Sequence, residues 1–158
     1  MLTRCYSAKY QEKHPTYVGC TVATDWLIFS NFKTWMESQD WEGNQLDKDL
    51  LVKGNKVYGP NVCVFVSQTV NKFTVDSGAS RGKFLIGVCW DKPTEKFQTK
   101  CSNPFTKKNE HLGLFSCEAE AHQAWVKRKL ELAHELAAEQ SDPRVAKALI
   151  DRYMNYSN

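Results

Sequence analysis

The stretch Ser116 to Gln140 constrains this chain most, because it reads as one long helix whose start and buried face are both written in the sequence. Ser116 supplies an N-terminal cap, and Glu118 and Glu120 place negative charge on the first turn, where the helix dipole favours it. Ala121, Ala124, Trp125, Leu132 and Leu136 form the stripe that must be buried. Three strand candidates come just before it. Phe84 to Trp90 and Lys96 to Cys101 are joined by the turn Asp91-Lys92-Pro93-Thr94, and His111 to Phe115 follows a long loop holding Asn103-Pro104. Asp142-Pro143 opens a last short helix, Arg144 to Tyr153. A run of strands closed by helices is an α+β arrangement.

The first half is organised differently. Leu2 to Tyr17 is a weak helix broken at His14-Pro15, since proline turns the residue before it away from helix. Asp25 to Gln39 carries Trp26, Phe29, Phe32, Trp35 and Met36 at helical spacing, so it reads as a core-facing helix capped by Asp25. Leu46 to Leu51 and Lys56 to Tyr58 read as two strands of a hairpin about Lys53-Gly54-Asn55, and Asn61 to Val66 as a further strand. Ser67 then caps a short helix. The small, polar stretch Asp76-Ser77-Gly78-Ala79-Ser80-Arg81-Gly82 is the best linker in the chain, giving a domain over 1–76, a linker over 77–82 and a domain over 83–158.

With 42% hydrophobic and 12% aromatic residues in 158, the chain has material for a core and is not of disordered composition. It has no apolar run near the ~20 residues a membrane span needs. Its polar N-terminus lacks the apolar centre of a signal peptide, so an intracellular protein with no membrane partner is expected. The six cysteines form no CxxC pair and several lie in apolar runs, VCVFV and GVCW, which reads as buried reduced thiols. A zinc site using Cys5, Cys20 or Cys63 with His14 matches no common spacing, and structural zinc is not expected. His14, His111, His122 and His134 read as surface or helix-face residues. Between Arg81 and His111 seven Lys or Arg face three acids, whereas Glu118 to Glu139 holds five acids and three bases. The sheet region, not the long helix, is therefore the surface suited to a polyanion.

Two resemblances cover most of the chain. Gly87-Val88, Phe97, Leu112-Gly113 with Phe115, and the helix bearing Glu120-Ala121 and Ala124-Trp125 resemble the Apetala2-type DNA-binding domain of plant factors and its phage relatives. The resemblance implies a three-stranded antiparallel sheet packed on one helix and laid in the major groove of double-stranded DNA. Where the plant domain places arginines, this chain has Cys89, Trp90, Gln98 and Lys100. Gln98 is then the candidate for an adenine edge, and Arg81, Lys83, Lys96, Lys100, Lys107 and Lys108 for phosphates, with Trp90 beside them.

The opening LTRCYS, Tyr17-Val18-Gly19-Cys20, Trp26 with Phe29 to Phe32, LDKD, Gly54-Asn55, Tyr58-Gly59-Pro60 and Asn71 resemble a divergent branch of the HNH endonucleases of tailed phages. That family usually carries residues before this opening, which implies a short form here. The resemblance implies a small ββα-metal-finger-like core holding one divalent cation, Mg²⁺ or Mn²⁺, on DNA. Carried over by position, the general-base place falls on Lys48 between Asp47 and Asp49, the middle asparagine near Asn61 or Val62, and the last ligand on Asn71. Asp47, Asp49 and Asn71 are then the candidate metal ligands, and Asp47, Lys48 and Asn61 the candidate catalytic set. A histidine base titrates near neutrality, whereas a lysine ordinarily titrates near ~10.4 and is protonated. The expectation is thus a phage DNA-binding protein of the host bacterial cytoplasm on an HNH-like scaffold impaired for catalysis. The alternatives are an active metal-dependent endonuclease, or an inhibitor that binds a host or defence protein.

Overall fold

A computed structural model describes residues 1–75 and 82–156. Contacts divide the chain into two units, Met1–Asn71 and Lys72–Asn158, so the division falls inside a helix. The segment read as a linker lies outside the described residues except for Gly82, which is exposed.

In the first unit the N-terminal helix is two pieces, α1 (Leu2–Tyr6) and α2 (Ala8–Lys13). The Ser7 hydroxyl starts the second by accepting from the Tyr10 amide at 3.3 Å. His14, ahead of Pro15, leaves the helical region as expected and a 3₁₀ turn follows over Pro15–Tyr17. β1 (Thr21–Val22) leads into a break in the aromatic run that was read as one helix. Thr24–Leu27 is a 3₁₀ turn, Ile28 is extended, and α3 begins only at Phe29, running to Glu37. Asp25 therefore lies within the 3₁₀ turn and is not the cap. The shift in phase turns Phe29 outward, 72% exposed, while Trp26 is buried. Trp35 and Phe32 pack on Trp26 with ring centroids 4.5 and 5.1 Å away.

β2 (Gln45–Asp47), β3 (Val57–Tyr58) and β4 (Val64–Val66) do not pair in sequence order. β2 runs antiparallel to β4, with Asp47 opposite Val64, and β3 runs parallel to β1. The hairpin expected between Leu46–Leu51 and Lys56–Tyr58 does not form. Asp47 Oδ1 accepts from the amides of Asp49 and Leu50 at 2.9 and 2.7 Å, which bends the chain out of the strand. The Asn55 carboxamide donates to the carbonyls of Lys48 and Val57 at 2.6 and 2.7 Å and closes the excursion. α4 (Gln68–Thr74) follows β4, and Ser67 caps it, accepting from Val70 N at 3.2 Å. Cys5, Cys20 and Cys63 are buried free thiols in the core with Val22, Trp26 and Tyr58. His14 is exposed and stacks near Tyr10 instead of joining them.

In the second unit β5 (Val88–Asp91), β6 (Lys96–Ser102) and β7 (Asn109–Phe115) form an antiparallel sheet in the order 5-6-7. β5 is shorter than its apolar run suggested, because the residues before it bond to a helix instead of a strand. Leu85 N donates to the Glu118 carboxylate at 2.6 Å, and His122 Nδ1 lies 2.9 Å from the Ile86 carbonyl. That helix is α5 (Glu118–Ala138); Cys117, not Ser116, stands at its cap position and gives no side-chain bond. Ala121, Trp125, Leu132 and Leu136 are buried as read, Ala124 only in part, and Lys129 is buried with them. α6 (Pro143–Met154) starts where Asp142 accepts from Arg144 N at 2.8 Å. The unit is α+β: a three-stranded antiparallel sheet with a long helix across one face. Among the described residues no helix is long and apolar enough to cross a membrane.

Candidate functional site

The β5–β7 sheet has two unlike faces. Side chains alternate along a strand, so Phe97, Thr99 and Cys101 of β6 share the side that meets α5. The Thr99 hydroxyl marks that side by donating to the Ala121 carbonyl at 2.8 Å. Lys96, Gln98, Lys100 and Ser102 fall on the other side. The register adds Cys89 opposite Gln98, Asp91 opposite Lys96, and His111 opposite Lys100. The Cys89 thiol lies 3.7 Å from Gln98 Oε1, which places the two on one face. Lys96 and Lys100 are exposed and Gln98 is half-buried between them.

Lys107 and Lys108 stand at one end of this sheet, exposed in the loop between β6 and β7. The loop is held by buried Asn103, whose Oδ1 accepts from Phe105 N and Thr106 N at 2.8 and 3.0 Å. Asn103 Nδ2 donates to Glu110 at 2.6 Å, and Arg128 grips the same carboxylate through two nitrogens at 2.7 and 3.1 Å. Together these bonds hold the Glu110 carboxyl down at about 2. Trp90 is brought elsewhere. Its partner in the register is Phe97, so it takes the helix side, at the sheet edge, with its ring 4.9 Å from that of Phe97. Lys83 is exposed with its ammonium 5.2 Å from the Phe84 ring, and Arg81 lies outside the described residues.

The first unit gathers a second set of polar groups around a cavity of about 460 Å³. Asp47, Lys48, Asp49 and Asn71 all line it, so four residues chosen from the sequence do meet. Asn61 does not: it is exposed in the turn before β4 and is not part of the lining. Asp47 titrates above its ordinary value, first because it is buried and second because the Asp49 charge is beside it. Lys48, nearly enclosed, donates to the Asn55 carbonyl at 3.0 Å and pairs with Asp49 at 3.5 Å. These bonds tie the loop together. Asn71 Nδ2 donates to Gln45 Oε1, joining α4 to the start of β2.

The rest of the lining was not assigned roles from the sequence. The Arg4 guanidinium hydrogen-bonds the Tyr58 hydroxyl and lies over the Tyr17 ring at 5.3 Å. Burial pushes Tyr58 up to about 12, so the phenol is neutral. Lys56 donates to the Thr16 carbonyl at 2.6 Å on the same rim. Arg4, Tyr17, Asn55 and Tyr58 all sat within matched stretches, but only the fold puts them beside LDKD.

A third cluster involves Lys129. Its ammonium donates to the Phe73 carbonyl at 3.0 Å and lies 3.7 Å from the centroid of the Phe73 ring, with Trp125 and Tyr153 at 5.6 and 5.4 Å. Burial lowers it to about 8. Tyr153 donates to the same carbonyl at 2.8 Å, so the cluster reads as structural. Among the described residues no group of three or more His, Cys, Asp or Glu comes together as a metal site. Compared with protein-family models, with curated proteins and with solved structures, the chain matches none.

Proposed function

We propose that the protein binds double-stranded DNA through the exposed face of β5–β7 and does not cut it. The observation that carries this reading is the sorting of the sheet: Lys96, Gln98 and Lys100 project from one face while α5 covers the other. A sheet with one free face enters a major groove about 12 Å wide, with lysines meeting phosphates and a carboxamide meeting a base edge. In the first unit, Lys48 holds the place of the general base and spends its protons on Asn55 and Asp49. The sequence resemblances favour a phage protein acting in the bacterial cytoplasm.

Gel shifts on duplex DNA across a salt series test the reading. Binding should weaken steeply as salt rises, because each phosphate contact releases counterions. A flat salt response, or no shift, would overturn it in favour of a host or defence protein as partner.

One observation favours the endonuclease reading: Asp47, Asp49 and Asn71 share a cavity and carry oxygen donors of the kind Mg²⁺ or Mn²⁺ takes. Such a metal would supply Lewis-acid activation of water. Supercoiled plasmid incubated with either metal decides between the two. Nicking that is lost in Asp47→Ala and Asn71→Ala would establish cutting, and no nicking supports binding alone.

A further inference from the structure

The cavity of the first unit is lined by two groups of polar side chains. In one, Arg4 lies over the Tyr17 ring and Lys56 donates to the Thr16 carbonyl. Lys56 immediately precedes β3, which holds Tyr58, and the Tyr58 hydroxyl accepts a hydrogen bond from Arg4. Each cation keeps donors in reserve. A guanidinium has five N–H groups and an ammonium three, and the bonds to Tyr58 and Thr16 leave most of them unspent. In the same lining Asp47 accepts from the amides of Asp49 and Leu50, and Lys48 donates to the Asn55 carbonyl and pairs with the Asp49 carboxylate. A volume of about 460 Å³ suits a small molecule, not a bare ion. The occupant that matches is an anion that also bears hydrogen-bond donors.

We propose that this cavity binds a phosphate monoester of nucleotide size, with the phosphate against Arg4 and Lys56 and the sugar hydroxyl or base amino group toward Asp47 and Asp49. Guanidinium and ammonium together match a phosphate dianion, the first by its planar fork and the second as a point charge. The same chemistry is offered by a free nucleotide and by the 5′-phosphate at a DNA end. This site is separate from the sheet and does not rest on that sheet contacting DNA.

Calorimetric titration of the full chain with 5′-dAMP, deoxyadenosine and inorganic phosphate tests it. A duplex with and without a 5′-phosphate then competes. Saturable binding of 5′-dAMP but not of deoxyadenosine is expected, weakened at least tenfold in Arg4→Lys and in Lys56→Ala. Lys56 is exposed, so its variant keeps the core intact should the Arg4 variant unfold. Both variants should shift closed circular DNA as the parent does. If only the 5′-phosphorylated duplex competes or binds in a Lys56-dependent way, the phosphate comes from a DNA end and the proposal stands. Equal affinity for phosphorylated and unphosphorylated ligands of both kinds would overturn it, as would undiminished 5′-dAMP binding in Lys56→Ala.

Discussion

At the residue scale, the position least open to change is Gly87. Its φ is +81°, and a Cβ built there would lie 2.1 Å from Trp125 Cδ1, on the ring that anchors α5 to the sheet. Neither the backbone nor the indole can give way cheaply. Gly87→Ala should cost about 3 kcal/mol or more, combining left-handed strain with overpacking. Urea unfolding followed by tryptophan fluorescence measures it, and a loss below about 1 kcal/mol would mean that Trp125 repacks freely. Gly87 stood out in the sequence as part of a matched pair of residues, but its reason is Trp125, nearly forty positions away. Lys48 is the converse: its identity is plain in the sequence, and its partners, Asn55 and Asp49, are what make it a structural donor.

At the scale of elements, β6 and the loop after it carry the DNA-binding proposal. Lys96→Ala and Lys100→Ala should each lower the slope of log affinity against log salt by about 0.9, the share of one phosphate contact. Gel shifts at four or five salt concentrations give that slope, and an unchanged value would remove the residue from the interface. The loop that presents Lys107 and Lys108 depends on a single buried carboxamide. Asn103→Ala leaves the amides of Phe105 and Thr106 without their acceptor and removes a donor to Glu110, which should cost about 1–3 kcal/mol. Chemical unfolding reads that loss. Hydrogen exchange at residues 105–108 should quicken in the same variant, and protection equal to the parent's would show that the loop is held by other bonds.

The whole molecule should show two contributions to stability that rise with pH, one acid and one alkaline, both arising in the second unit. Glu110 titrates near 4.5 unfolded and about 2 folded, so its pairing with Arg128 stabilises fully above 4.5 and is lost as pH falls toward 2. Lys129 titrates near 10.5 unfolded and about 8 folded, so the unfolded chain binds more protons between those values. The Lys129 contribution to stability therefore rises with pH from about 8 to 10.5, as the cost of burying the ammonium disappears, against the buried phenols and thiols whose contribution falls there. Urea midpoints across pH check both. Glu110→Gln should flatten the acid limb and Lys129→Met should remove the rising contribution between about 8 and 10.5, and a parent-minus-variant difference that does not change with pH would assign the effect to another group.

What the sequence determined by itself is local. The break at His14-Pro15, the Ser67 and Asp142 caps, the three strands and the long helix follow from proline sterics, capping chemistry and side-chain period, which act over a few residues. Its failures are also of one kind. The hairpin about Gly54 gave way to β2–β4 and β1–β3 pairing because the Asp47 carboxylate took the amides that β2 needed to continue. The aromatic run broke at Ile28, and β5 shortened because α5 supplied partners for Leu85 and Ile86. The site divides in the same way. Asp47, Lys48, Asp49 and Asn71 were legible as a matched set, whereas the wall of Arg4, Lys56 and Tyr58 arises only when α1 and β3 fold to one cavity. Tertiary structure decided those matters because a buried polar group takes whichever partner the packed chain brings within reach, and sequence distance does not enter that choice.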